Sequence, residues 1–537
     1  MSLRRLTALC CALAVLAAVI LARVYWVGSD TAYAASAGRQ TTQTTELPRA
    51  RGNFLDRTGR PLTGTETTRY ALCIPGDNSY SALLPCVPYQ AQTLLYERRN
   101  TTSPFLIEIG QTAAPAGTLL LDEPRRTLPI PIAVHLLGYL DQENHGVTGL
   151  ERAWDTVLAE SCDQTAAVCQ TTARGRLLGT AAPEIITEQQ GTGAQVKLTL
   201  DADIQRLCEG IAQLTMPRGC ILVMDTATGE ILASVSMPEY DPGDVARSIC
   251  ADDTSLVNRA FATFSVGSVF KVAAALAAYE NGMDWFTHDC TGSIEVDGQT
   301  YRCALGKAHG TVNLRGALEQ SCNTYFVALG QRLGGTALRA AASELGFGTA
   351  VPIAPDLTAG AGGLPTAKEL QSTGQLSVFS FGQGSFTATP LQITAMMNTI
   401  AAGGTYRTPR FCCGVTDADG TVTEKFQLPA PRTVCDAATA KVLRSMLQSV
   451  VEDGIGYAAK PTGGTAAGKT GTAQTGQFDA AGDELLNYWF SGFIPAGDPQ
   501  YTITVLQDGV LEPETSSAAI FAQIAAGLQV IEQPAPD

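Results

Sequence analysis

Asn258-Arg259-Ala260-Phe261-Ala262-Thr263-Phe264-Ser265-Val266-Gly267-Ser268-Val269-Phe270-Lys271 runs without a break into the alanine-rich segment Val272 to Tyr279. A glycine followed by an apolar run that ends at Asn281-Gly282 predicts a tight turn opening a buried helix, with glycine as its C-terminal stop. Ser268 then falls in the first turn, where unpaired backbone N–H groups and the helix dipole favour an oxygen gaining negative charge. Lys271, three residues on, shares the helix face of Ser268 and can take its proton once burial has made the amine neutral. This is the arrangement of an activated serine nucleophile.

A Ser-x-x-Lys pattern arises by chance about once in a chain of this length. Here it occurs a single time, in a chain with only eight lysines. Downstream, in order, stand Ser321-Cys322-Asn323 and Lys469-Thr470-Gly471-Thr472-Ala473, with Gly382-Gln383-Gly384 and Thr389-Pro390-Leu391-Gln392 between them. The order Ser-x-x-Lys, Ser-x-Asn, Lys-Thr-Gly resembles that of penicillin-binding proteins and class A β-lactamases. Together with the N-terminal features below, the chain resembles a class B penicillin-binding protein.

That resemblance implies a mixed α/β fold: a β-lactamase-like transpeptidase domain, its sheet sandwiched by helices, on a smaller α+β N-terminal pedestal. It implies that Ser268 forms an acyl-enzyme with peptidoglycan stem peptides and with β-lactams, and that Lys271 is its base. Ser321 would relay a proton to the leaving amine, and Asn323 would hold Lys271 and the substrate amide. Lys469, Thr470, Gly471 and Thr472 would receive the substrate by strand addition and hold its carboxylate, with the backbone N–H groups of Ser268 and Thr472 facing the oxyanion. The implied activity is D,D-transpeptidation without a catalytic cofactor, with a polytopic membrane glycosyltransferase as partner. D,D-carboxypeptidases, serine β-lactamases and non-turnover penicillin-binding sensors share parts of the triplet. The anchor, the pedestal blocks and the intact Ser-x-Asn favour the transpeptidase. Val266 stands where the family usually has proline, which loosens the approach to Ser268.

At 537 residues the chain exceeds one ordinary domain. Its net charge of −15 argues against a nucleic-acid partner, since phosphate binding needs clustered Lys and Arg. Arg4-Arg5 precede an uncharged apolar run, Leu6 to Ala22, which Val24 to Val27 extend toward the length of a membrane helix. The expected order is a cytoplasmic tip at 1–5, a transmembrane anchor at 6–27 and a stalk rich in Thr, Ala, Ser and Gln at 28–48. A pedestal at 49–193 and the transpeptidase domain at 194–532 follow. The alternative to an anchor is a signal peptide cleaved near Ala32-Tyr33-Ala34, which lies far past the apolar run.

Arg51 to Leu62 reads as a strand with a Thr-Gly turn, a hairpin, and resembles the segment that opens the family's pedestal. Val134 to Tyr139 and Gly146 to Glu151 resemble further pedestal pieces, with His135 and His145 structural. From Ala71 to Pro129 the chain reads as irregular. In the transpeptidase domain, Val196 to Leu200 reads as a strand, Asp201 as a helix cap, and 219–225 with 230–236 as a hairpin. Trp489 to Ile494 and Tyr501 to Leu506 read as closing strands, and 515–530 as a last helix.

Fifteen cysteines, of which Cys10 and Cys11 lie in the apolar run, leave an odd thirteen outside it, so they cannot all pair internally. Cys73, Cys208 and Cys220 sit in apolar contexts that suit core packing. Cys290, Cys303, His309 and Cys322 follow the spacing Cys-x12-Cys-x5-His-x12-Cys in a polar, glycine-rich region. Three states fit: a tetrahedral structural zinc site with His288 as substitute ligand, a Cys290–Cys303 disulfide, or free thiols.

Overall fold

The structure, a computed structural model, describes residues 3–32, 42–47, 49–73, 79–101, 104–110, 118–141, 143–172, 183–251 and 254–532. Residues 33–41 and 48 of the expected stalk, with Tyr33 and Ala34 of the alternative cleavage site, lie outside the described residues. Leu3–Ser29 is one continuous helix with no buried residue, and its most apolar window has a mean hydropathy of 2.4. At about 1.5 Å per residue it is about 40 Å long, enough to cross the hydrocarbon layer.

The chain forms two compact units, one of residues 1–51, 64–126 and 160–192, the other of 52–63, 127–159 and 193–537. The smaller holds two three-stranded antiparallel sheets. In one, Gln164–Gln170 lies between Thr42–Glu46 and Glu184–Glu188. In the other, Glu66–Cys73 lies between Phe105–Glu108 and Leu119–Arg125. The stretch that reads as irregular from Ala71 onward thus contributes two strands. Their partner is far off in sequence, so no local turn signal announces the pairing.

The larger unit takes in 52–63 and 127–159, which the sequence boundary at 193/194 assigns to the pedestal. The reason is visible at Arg51 to Leu62. The hairpin forms, with Leu55 bridged to Pro61 and Leu62 N–H donating to the Phe54 carbonyl (2.7 Å). Its first arm, Phe54–Leu55, also pairs parallel to Gln195–Leu198 in a four-stranded sheet completed by Cys412–Thr416 and Val422–Lys425. The turn behind it closes on Asp56, a fully buried carboxylate. It accepts the N–H groups of Thr58 (2.8 Å) and Arg60 (2.9 Å) and the guanidinium Nε of Arg60 (2.8 Å). Burial pushes the Asp56 carboxyl up, but these hydrogen bonds outweigh it and hold it below its usual range.

The main sheet of the larger unit has five antiparallel strands in the order Ile231–Met237, Gly219–Asp225, Tyr501–Val510, Glu484–Ile494, Ala467–Phe478. Alternating side chains feed two cores, as a sheet covered on both faces requires. Ile221, Val223, Phe490, Ile503 and Val505 pack with Ile204 and Cys208 of helix Ala202–Thr215 and with Phe521 and Ile524 of helix Ser517–Glu532. Trp489, Phe493 and Leu506 pack on the other side with helices Lys271–Glu280, Asn323–Glu344, Pro390–Ala401 and Ala437–Glu452. The Asp201 carboxylate caps its helix, accepting from the N–H groups of Asp203 (3.1 Å) and Ile204 (3.3 Å).

Within this helical layer the Thr389-Pro390-Leu391-Gln392 segment is a structural hub. Thr389 and Gln392 form a capping box, and the buried Gln392 amide donates to the carbonyls of Gly346 (3.2 Å), Thr349 (3.0 Å) and Ala361 (2.8 Å). Replacing Gln392 by leucine strands these acceptors and is expected to cost about 3 kcal/mol, read as a lowered denaturation midpoint. An unchanged midpoint would mean that other donors replace the amide.

Candidate active site

Ser268 is delivered by a short strand and a glycine turn. Phe264–Ser265 pairs with Thr387–Ala388, Gly267–Phe270 forms one 3-10 turn, and the α-helix begins only at Lys271. The sequence reading places Ser268 in the first α-turn, and the tighter turn found here reflects the left-handed Gly267 (φ +64°). Gly267 N–H donates to the Gly382 carbonyl at 2.8 Å. A side chain at Gly267 would collide with the Thr472 carbonyl, and one at Gly382 with the Gly267 carbonyl. Val266 is buried with φ −95°, outside the range of about −65 ± 15° that proline permits. From below, the Ser265 carbonyl accepts from the Trp489 indole N–H at 3.0 Å and the Asn487 amide at 3.4 Å. Ser268 itself is half-exposed.

Lys271 is fully buried. Its Nζ donates to Asn323 Oδ1 (2.7 Å), the Ser321 carbonyl (2.8 Å) and Ser321 Oγ (3.1 Å), and lies 5.5 Å from the centre of the Phe326 ring. Burial pushes its pKa down to about 7, where an amine can serve as a base at neutral pH. Ser321 holds a left-handed backbone (φ +49°) between helix Leu314–Glu319 and helix Asn323–Glu344. This costly conformation for a non-glycine residue carries both of its oxygens to Lys271. Asn323 also donates through Nδ2 to the Arg302 carbonyl at 2.9 Å.

The third motif lies on Ala467–Phe478, the last strand of the main sheet, with one edge unpaired within that sheet. Gly471 pairs with Trp489, and a side chain there would come within 2.7 Å of Val269 Cγ2, so its absence lets the strand abut the Ser268 turn. Thr472 is exposed and Thr470 half-buried. Lys469 is fully buried and donates to the Thr470 carbonyl (3.1 Å) and hydroxyl (3.3 Å). Burial first, and then the like charge of Lys271, hold its pKa well below the ordinary lysine value. The site thus sets beside the Ser268 turn a buried amine of depressed pKa held by the Ser321 turn and Asn323, and an edge strand that abuts the same turn at Gly471.

Behind the Ser321 turn, Cys290, Cys303, His309 and Cys322 converge, their ligand atoms all within 4.8 Å of one another. His288 is not in this group. Among the histidines set aside as structural, His135 is buried with Nε2 2.6 Å from the Ser255 carbonyl, while His145 stands near the exposed Asp141 and Glu143. Sequence reasoning missed two supports. Arg259, 1% exposed, shares Asp508 with Arg218 (2.9 and 3.0 Å to Oδ2), pinning the approach to Ser268 to the main sheet. The Trp489 and Asn487 donors under Ser265 are the other. Neither carries a local pattern, because each partner lies more than two hundred residues away.

Residues 219–526, more than half of the chain, match the family described as penicillin binding protein transpeptidase domain. The penicillin-binding protein PbpB of Mycolicibacterium smegmatis is 32% identical over 74% of this chain and 63% of its own length. The peptidoglycan D,D-transpeptidase PbpA of the same organism is 30% identical over 70% of this chain and 78% of its own. The chain spans about three-fifths of the first relatives it matches. Penicillin-binding protein 3 of Mycobacterium tuberculosis, solved with aztreonam, superimposes with a TM-score of 0.66 and 26% identity, covering 91% of this chain and 97% of that one. A chain from a solved peptidoglycan synthase complex that coordinates polymerization and crosslinking gives a TM-score of 0.71 and 26% identity, covering 98% and 99%.

Proposed function

The chain belongs to the penicillin-binding protein transpeptidase family, and from that premise we propose that it is a membrane-anchored serine D,D-transpeptidase that cross-links peptidoglycan stem peptides. The observation that carries this reading is the convergence of the buried Lys271 on Ser321 and Asn323, immediately after the Ser268 turn.

In the first half-reaction Ser268 Oγ attacks the penultimate D-Ala carbonyl carbon while Lys271 takes the hydroxyl proton. The tetrahedral intermediate collapses with cleavage of the C–N bond. Ser321, hydrogen-bonded to Lys271, passes the proton to the leaving amine, and D-Ala departs. In the second, an amine of a neighbouring stem peptide attacks the acyl-serine, and the serine oxygen leaves with a proton returned along the same relay. The free edge of Ala467–Phe478 receives the donor peptide as an added strand. Lys469, Thr470 and Thr472 face its terminal carboxylate, with Gly471 setting the distance of the strand from Ser268. The N–H groups of Ser268 and Thr472 stabilise the oxyanion. A β-lactam enters as the cyclic counterpart of the donor and stays on Ser268.

The helix Leu3–Ser29 serves as a single-pass anchor in the cytoplasmic membrane, Arg4 and Arg5 inside and the catalytic unit outside. A polytopic membrane glycosyltransferase is the fitting partner, since it would supply the polymer to be cross-linked. Likeness to a chain of a solved synthase complex supports that choice.

The test supplies the purified full-length protein with a pentapeptide donor and an amine acceptor. Release of D-Ala coupled to a new peptide bond, with a long-lived penicillin adduct, is the expected result. Turnover of the β-lactam by hydrolysis would make the protein a β-lactamase. A stable adduct with no D-Ala released would make it a sensor.

A further inference from the structure

We propose that Cys290, Cys303, His309 and Cys322 hold one structural zinc ion, and that this ion sets the position of the Ser321-Cys322-Asn323 turn. Cys290 Sγ and Cys303 Sγ are 3.7 Å apart, Cys303 Sγ and Cys322 Sγ 3.8 Å, and Cys290 Sγ and His309 Nδ1 3.3 Å. A tetrahedral ion with Zn–S bonds of about 2.3 Å and a Zn–N bond of about 2.0 Å sets its sulfurs about 3.8 Å apart and its nitrogen about 3.5 Å from each sulfur. Three of the six edges of the tetrahedron thus already stand near their zinc-bound lengths, and the remaining ligand pairs lie within 4.8 Å. Four protein ligands close the coordination shell, which marks the site as structural. The three cysteines are 1%, 3% and 0% exposed, so the ion would be shielded from competing ligands.

The surrounding fold explains the need for a staple. Between Thr287 and Asn313 the chain makes two separate two-stranded ribbons, Thr287–Cys290 with Gly310–Asn313 and Ser293–Val296 with Gln299–Arg302. Their side chains are largely exposed, and an isolated ribbon is marginally stable in water. Cys290 ends the first strand, Cys303 follows the last strand of the second ribbon, His309 precedes Gly310–Asn313, and Cys322 caps helix Asn323–Glu344. One ion would join both ribbons to that helix. Backbone bonds prepare the ligands: His309 N–H donates to the Cys290 carbonyl (3.1 Å) and Cys303 N–H to the Gly292 carbonyl (3.0 Å). After Cys303 the chain turns sharply through left-handed Leu305 and Gly306, with Gly306 N–H donating back to the Cys303 carbonyl at 2.9 Å. A Cys290–Cys303 disulfide would account for only two of the four converging groups.

The positioning half of the proposal rests on the transpeptidase reading; the zinc half does not. Cys322 separates Ser321 from Asn323, the two residues that hold Lys271 Nζ. Cys303 follows Arg302, whose carbonyl accepts from Asn323 Nδ2. Two of the four ligands are thus one bond along the chain from contacts of the base and its holder.

The experiment uses full-length protein in detergent, purified without chelator, with metal content by mass spectrometry and thiols by titration. About one zinc per chain is expected, falling at least about tenfold in Cys303→Ser and retained in the control Cys250→Ser. Should Cys303→Ser fail to fold, wild type alone decides: exchange of zinc for Co2+ should give thiolate-to-metal charge transfer and tetrahedral d–d bands. The variant His309→Cys should keep the ion, because thiolate replaces imidazole as a ligand. Zinc-free protein that shows no such bands after reduction and Co2+ addition would overturn the site, as would a protected Cys290–Cys303 pair released by reductant. Stripping the zinc should slow β-lactam acylation about tenfold or more, with recovery on adding Zn2+. An unchanged rate in the stripped protein would overturn the positioning role while leaving the site.

Discussion

Replacing Ser268 by alanine is expected to remove covalent capture of a fluorescent penicillin, a loss on the order of 10⁴ or more in acylation rate. Ser268 opens the turn that leads into Lys271, whereas Ser321 Oγ accepts from Lys271 Nζ at 3.1 Å and serves as the relay. Ser268 is half-exposed, so the same variant should unfold within about 0.5 kcal/mol of wild type. Gel fluorescence and a denaturation curve on one preparation separate loss of the nucleophile from loss of the fold. Labelling at the wild-type rate would show that another residue is acylated.

The second large effect concerns the base. With Lys271 pushed down to about 7 by burial, acylation should rise about tenfold per pH unit below 7 and level off above it, as the amine becomes neutral. Lys271→Met keeps length and burial but has no proton acceptor. It should acylate about 10²–10⁴ times more slowly at neutral pH and lose the rising limb. A variant that kept the limb would require a different base. The linkage sign is also checkable. The folded-state pKa lies below the ordinary 10.5, so the folded state binds fewer protons between those values. Wild-type stability should therefore gain with pH from about 7 toward 10.5, a contribution absent from Lys271→Met.

The parts of the site legible in sequence are those in which chemistry and spacing coincide over a few residues. Ser268 and Lys271 share one turn, and Ser321 and Asn323 flank a buried cysteine. Lys469 to Ala473 alternate along a strand as their small residues suggest. The start of the helix capped by Asp201 and the hairpin Gly219–Asp225 with Ile231–Met237 are equally local, and the hairpin bounds fall within a residue of the alternating pattern. What is not legible depends on pairing across distance. Phe54–Leu55 reads as one arm of a hairpin, which forms, but its pairing into a sheet whose other strands begin at Gln195, Cys412 and Val422 has no local signal. Gly267 looks like a helix opener, but its left-handed turn is dictated by the close approach of Gly382 and Thr472. The inclusion of His309 rather than His288 among the thiols likewise depends on how two ribbons fold back on each other, which spacing alone leaves open.

Which atom becomes acylated is decided by mass spectrometry. Wild-type protein is incubated with a penicillin, digested with trypsin and sequenced by mass spectrometry. Cleavage after Arg259 and Lys271 yields the peptide Ala260 to Lys271, which contains two serines, Ser265 and Ser268. The penicilloyl mass is expected on this peptide, with fragment ions placing it on Ser268. An adduct on Ser265, on the peptide containing Ser321, or on no serine at all would contradict that placement.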